Sequence, residues 1–265
     1  MSNSHASTAG RYQLPPSPTA PSAAQPIIVW AALLVLAAAG WAVTAIQAQS
    51  MSGMSGMSGM AGIAPASSPP APFLSAWVAM MVAMMFPSMA PTVTSFATVG
   101  FTRRRAGERV APAWVFLLGY LAVWSVFGLG AYLLSLIVPD VSMMGPGLRA
   151  TSPIIAGSIL VVAGVYQWSR WKRSCLEHCR SPLAFLEHAC REGAAGAFRL
   201  GIANGVQCVG CCGGLMLVLL AVGLMNLGWM AVLATVFFAE KVVPHGPLAG
   251  KVAGAAIVIT GVAML

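Results

Sequence analysis

Long apolar runs broken by short polar and basic links set the pattern of this chain. The runs fall near 27–46, 73–99, 112–138, 153–169, 198–223, 226–240 and 250–265. A helix needs about 20 consecutive apolar residues to cross the hydrocarbon core of a bilayer. The pattern therefore predicts an all-α fold, a polytopic transmembrane helix bundle of about seven spans. The last two runs are short, and only a few residues around Met225 and Asn226 separate the fifth from the sixth. A count of six spans fits the same pattern.

The links divide the chain further. Residues 1–25, rich in Ser, Pro, Ala and Thr, read as a disordered cytoplasmic tail. A first transmembrane helix occupies 26–47. Small residues in 45-AIQAQS-50 would suit a signal-peptide cleavage site, but the long tail before the run and the length of the run favour an uncleaved span. A Met/Gly/Ser/Pro-rich external linker covers 48–72. A six-span membrane domain follows over 73–265, with a cytoplasmic Cys/His link at 170–197. No second half resembles the first, which gives an inverted-repeat transporter no support.

Composition agrees with this picture. The 265 residues are 58% hydrophobic and 8% charged, with a mean hydropathy of +0.82, whereas soluble domains carry roughly 25% charged residues. The net charge of +8 gathers in links such as 102-TRRRAGER-109 and the stretch 170–199. With these inside, Arg149 is the one external basic residue, so the N-terminus is expected in the cytoplasm and the C-terminus outside. The basic charge then serves topology, and nothing in it calls for nucleic acid.

Candidate chemistry is carried by sulfur. In 76-AWVAMMVAMMFPSMAPTV-93, Met80, Met81, Met84, Met85 and Met89 cover about half of a helix circumference. Met is also a good filler of irregular gaps, but thioethers favour Cu(I). In 205-GVQCVGCCGGLM-216, Cys208, Cys211 and Cys212 share one helix face with Gly201, Asn204 and Gly205, and Met216 lies close beside it. Three thiols suit a trigonal Cu(I) site or most of a tetrahedral zinc site. The spacings Gly201-x-x-x-Gly205 and Gly210-x-x-x-Gly214 allow close helix approach.

The basic link 170–199 adds 175-CLEHCR-180, where Cys175, His178 and Cys179 are expected as one Cys/His site on the cytoplasmic side. An amphipathic surface helix with Leu176, Leu183, Phe185 and Leu186 in the lipid interface fits these residues too. Glu240 and Lys241 close the sixth run. They read as interfacial anchors, with gating or coupling as the functional alternative. In 51-MSGMSGMSGM-60, Met51, Met54, Met57 and Met60 punctuate a Gly/Ser coil. Low complexity explains the tract as well as external copper collection does, until the other sulfurs are counted.

No nucleophile elbow, phosphate loop or dinucleotide fingerprint occurs, which points away from an enzyme. The segments AWVAMMVAMMFPSMAP, 166-YQWSRWKRSCLEHCRSPLAF-185 and 205-GVQCVGCCGGLM…GLMNLGWM…EK-241 resemble a bacterial family of integral membrane proteins of unassigned function, described as predicted metal-binding. The resemblance covers roughly residues 73–265. It implies roles for Met80, Met81, Met84, Met85, Pro87, Cys175, Cys179, Cys208, Cys211, Cys212, Met216, Glu240 and Lys241. The chain departs from the family at Gly213, where Trp is frequent.

The expectation is a multi-pass protein of the bacterial inner membrane that binds a soft metal, Cu(I) before zinc. It would import copper or deliver it, with a periplasmic or cytoplasmic metal chaperone as partner. Affinity would rise from thioether outside to thiolate inside. A membrane thiol–disulfide redox protein and a structural subunit of a membrane complex are the alternatives.

Overall fold

An apolar chain that leaves water must satisfy its backbone N–H and C=O groups internally, and a helix does so within each segment. The structure, a computed structural model, describes residues 24–55, 70–105, 107, 110–137, 153–180, 193–222 and 226–265. Among these there are eight helices and no strand, as the all-α reading expects. They are α1 (Ala24–Ser55), α2 (Pro70–Arg105), α3 (Ala113–Ile137), α4 (Pro153–Tyr166), α5 (Arg170–Arg180), α6 (Gly193–Val222), α7 (Leu227–Val242) and α8 (Gly246–Val262). The seven apolar runs are seven of these helices, and the polar α5 lies in the Cys/His link.

Four helices (α1, α2, α3 and α6) are long and apolar enough to cross a membrane. The other three apolar helices are shorter: α4 has 14 residues, α7 has 16 and α8 has 17. At 1.5 Å per residue these reach about 20–25 Å, less than the ~30 Å hydrocarbon thickness. Large apolar side chains such as Val35, Val126, Val162 and Ile259 point outward. A surface of that kind suits lipid.

One boundary differs from expectation. α1 runs on to Ser55 and takes in Met51 and Met54, so the linker begins as helix rather than coil. Met57 and Met60 lie outside the described residues, as does the tail 1–23. α2 stays helical through Pro87 and Pro91.

Small residues decide which helices touch. Gly40 of α1 lies against the backbone of Ala79 and Ala83 in α2. Gly119 of α3 faces the Phe198 carbonyl of α6, while Gly201 and Gly205 of α6 face Phe116, Tyr120 and Val123 of α3. Gly157 and Gly164 of α4 meet Gly261 and Gly254 of α8 in the same manner. A side chain at any of these points would occupy the neighbour's backbone or Cβ. Between α2 and α3 the contact is aromatic instead. Phe73, Trp77, Trp124, Phe127 and Tyr132 form a run of ring contacts, and the Trp77 indole donates to the Trp124 carbonyl at 2.9 Å. Gly128 provides the room for the Trp77 ring. The bundle thus surrounds α6, which packs on α3, α4, α5 and α7.

Close packing at Gly201 makes a simple prediction. Gly201→Val should destabilise the purified protein by about 1–3 kcal/mol or more through overpacking. Gly130→Ala, where an added Cβ meets open space, should leave stability unchanged or raise it by up to about 1 kcal/mol. Thermal unfolding in detergent, followed by tryptophan fluorescence, checks both.

Candidate metal centre

Positions 208, 211 and 212 fall on one face of α6 because i, i+3 and i+4 share a helix side. Cys208, Cys211 and Cys212 are each fully buried, and their three sulfurs all lie within 4.8 Å of one another. The Cys211–Cys212 separation is 3.4 Å and the Cys208–Cys212 separation is 4.0 Å. An ion bound trigonally by three thiolates at about 2.3 Å needs sulfur separations of about 4 Å. The cluster is therefore close to metal-binding geometry without large movement. Unlike the hydroxyls of Ser or Thr, these thiols are weak hydrogen-bond formers, so burying three together costs little before a metal arrives.

Other elements complete the surroundings. Met85 of α2 brings its sulfur to 4.0 Å from Cys208 Sγ. Tyr120 of α3 places its hydroxyl 3.1 Å from the same sulfur. Lys241 of α7 places Nζ 3.1 Å from Cys208 Sγ and 3.4 Å from Ser88 Oγ of α2. Cys208 therefore faces an ammonium and a phenol at once. Both can donate to a thiolate, so this sulfur has the setting of an anion.

The structure merges two sites that the sequence reading kept apart. Cys179 of α5 is buried, and its sulfur is 3.9 Å from Cys211 Sγ. It stands against the α6 thiols rather than forming a separate Cys/His site with His178. Cys175 is half-buried one turn earlier, its sulfur against Gly210 of α6. Burial pushes the Cys175 thiol above its ordinary pKa, so a metal that binds it must displace a proton. His178 is exposed and bonds to the Ser174 carbonyl, outside the cluster. Leu176 is buried within the protein, not in a lipid interface. Leu183, Phe185 and Leu186 lie outside the described residues.

Met80, Met81, Met84 and Met89 are buried in α2 as core side chains, and Met216 is buried one turn beyond Cys212. Of the α2 methionines, Met85 stands at the thiols. The expected Met face is real as a buried surface, and its participation in metal binding is a separate matter.

Glu240 and Lys241 are not interfacial anchors. Glu240 is fully buried and pairs with Lys172 of α5 at 2.5 Å. Lys172 also donates to Gln167. Arg180, at the other end of α5, donates to the carbonyls of Glu240 at 2.5 Å, Val243 at 2.9 Å and Pro244 at 3.2 Å. Gly246 and Gly250 of α8 leave the space that Glu240 fills. The acid turns inward because Lys172 meets its carboxylate there, while Arg180 binds backbone carbonyls at the end of α7.

Sequence reasoning passed over Tyr120, Ser88, Lys172 and Arg180. Signals for two of them were present. A Tyr within an apolar run needs a partner for its hydroxyl. Lys172, Leu176 and Cys179 follow the spacing of one buried face. What they would meet across the bundle was not readable from local pattern.

A helical protein with an inward-facing soft-donor cluster belongs to the metal-handling class. The sequence model of the PpoB2 copper chaperone family matches residues 74–264, and the chain belongs to that family. The matched stretch nearly coincides with the region carrying the Met, Cys and Glu-Lys motifs. No curated protein and no solved structure matches the chain. Family and thiol cluster together make this a copper-related metal-binding protein.

The Glu240–Lys172 pair is open to a direct check. Glu240→Gln leaves a buried ammonium without its counter-charge and should cost about 3–5 kcal/mol. The double variant Lys172→Met with Glu240→Gln should recover most of that loss. Comparison of their unfolding midpoints with the single variant reads the coupling.

Proposed function

We propose that the chain is a membrane-embedded copper chaperone that holds Cu(I) at Cys208, Cys211 and Cys212 and hands it on. The observation that carries this reading is the enclosed trio of sulfurs beside a half-buried cation. Thiolates select soft ions. Cu(I) with three thiolates carries a net charge of −2, and the Lys241 ammonium offsets part of it inside a medium of low dielectric. Met85 and Cys179 stand ready as exchange ligands on opposite flanks. Met80, Met81, Met84, Met89 and Met216 would form a thioether approach, and Met51, Met54, Met57 and Met60 an external collecting tract.

In this reading the protein lies in a bacterial inner membrane, N-terminus inside and C-terminus outside, with residues 73–265 as the working domain. The distribution of Lys and Arg supports that orientation. A second protein that donates or accepts copper is the partner such a role requires. Delivery accounts for the enclosed cluster better than a channel does, because a channel needs weak, successive sites.

Elemental analysis of the full chain, purified in detergent without oxygen after growth with copper, tests the assignment. Copper near one equivalent is expected, and its loss in the Cys208→Ser/Cys211→Ser/Cys212→Ser variant. Zinc in place of copper would keep the site and change the cargo. Absence of metal, with thiols that titrate as a disulfide pair, would favour the redox reading, for which Cys179 and Cys211 are, among the described residues, the nearest pair on different helices.

Lys241→Met should lower copper affinity by about 10–100-fold, as loss of a partner that orients a ligand does. Competition against a Cu(I)-specific chelator measures this. An unchanged affinity would remove Lys241 from the site.

A further inference from the structure

Helix α5 packs on α6 beside the thiol cluster, and its donor atoms form a graded series. His178 is exposed, with Nδ1 2.8 Å from the Ser174 carbonyl. A carbonyl can only accept, so Nδ1 carries the hydrogen, and Nε2 is the ring nitrogen placed to meet a metal. Cys175 lies three residues before His178 and four before Cys179, spacings at which helical side chains are neighbours. It is half-buried. Cys179 is buried and stands 3.9 Å from Cys211 Sγ. One short helix thus steps from an exposed imidazole, through a half-buried thiol, to a buried thiol at the cluster.

The helix is also held for this task. Lys172 ties its first turn to Glu240 and Gln167, and Arg180 ties its last turn to the end of α7. Neither clamp uses His178, Cys175 or Cys179. Gly210 of α6 lies under Cys175, and a Cβ there would collide with the Cys175 sulfur. The absence of a side chain at 210 is what lets α5 set its thiols on α6. Tyr166 donates to the Gly210 carbonyl at 2.6 Å and borders the same spot.

We propose that His178, Cys175 and Cys179 form a transfer port, through which copper is exchanged with small Cu(I)–thiolate complexes. The proposal rests on the copper-chaperone reading of the cluster. Cu(I) is first met by His178 Nε2. A Cu–S bond to Cys175 then forms as the bond to the carrier sulfur breaks. The Cys175 proton leaves, and the departing carrier thiolate takes up a proton. Exchange to Cys179 and then to Cys211 repeats the step inward. Copper stays Cu(I) throughout, and no electron is transferred. The half-exposed position of Cys175 and its small-residue floor favour a compact complex over a bulky one.

The test follows loading of the purified full chain, apo and reduced, from Cu(I)–glutathione under anaerobic stopped flow. Wild type is compared with Cys175→Ser and with His178→Ala, the second being a surface change that leaves the core untouched. Both variants are expected to reach the wild-type copper content, but several-fold more slowly. The wild-type rate should saturate with Cu(I)–glutathione concentration, and the variant rates should lose that saturation, a change that altered packing alone would not produce. Equal rates at equal copper content would overturn the port and leave the centre standing. A reduced final copper content in Cys175→Ser would also overturn it, by making Cys175 a resting ligand. A wild-type protein that takes up no copper would overturn the chaperone reading itself, and the port with it.

Discussion

The absence of bulk along α6 is the constraint on which the rest of the structure depends. Gly201 and Gly205 bring α3 to backbone contact, and Gly210 and Gly214 admit Cys175 of α5 and Tyr166 of α4. Within one bundle, apolar association between helices gains little from excluding lipid, so close van der Waals approach must supply the attraction. Cys208 and Cys212 lie on the side of Gly201 and Gly205, whereas Gly210 and Gly214 project to other neighbours at about 100° per residue. Once α3 and α5 have closed on α6, the three thiols are enclosed, and Tyr120 and Cys179 arrive at hydrogen-bonding or sulfur-contact distance. Packing and site construction are therefore one event.

Charge is the second constraint, and it is met by pairing. Lys172 and Glu240 are buried together, which avoids a lone charge in a low-dielectric interior. Lys241, the next residue along α7, points to Cys208 instead. Successive residues of a helix project about 100° apart, so a Glu-Lys dipeptide at the end of α7 can serve two neighbours. Glu240 secures α5, and Lys241 serves the thiols. The two cations, Lys172 buried and Lys241 half-buried, have different partners and different consequences. The first positions the helix that carries Cys175 and Cys179, and the second provides positive charge where thiolates gather.

Much of this was legible beforehand. Seven apolar runs became seven helices, with ends shifted by up to nine residues, because helical length and hydropathy are local properties. The triad Cys208, Cys211 and Cys212 was readable because its spacing alone places it on one face. The anchor reading of Glu240 and Lys241 failed. A charged pair at the end of an apolar run normally reaches for water, and only the opposing Lys172, Arg180 and Cys208 reverse that preference. The separation of Cys179 from the membrane thiols failed likewise. Sequence distance suggested two sites, whereas the turn at 167–169 folds α5 back onto α6.

The sequence by itself determined the helical class, the apolar spans and the sulfur donors, since each follows from local composition and period. The tertiary structure decided that Met85 stands at the cluster, that Cys179 belongs to it and His178 does not, and that Tyr120 and Lys241 converge on Cys208. Those outcomes depend on how five helices meet across the bundle. The meeting is governed by glycine contacts and buried charge pairs between residues far apart in the chain, which no local pattern encodes.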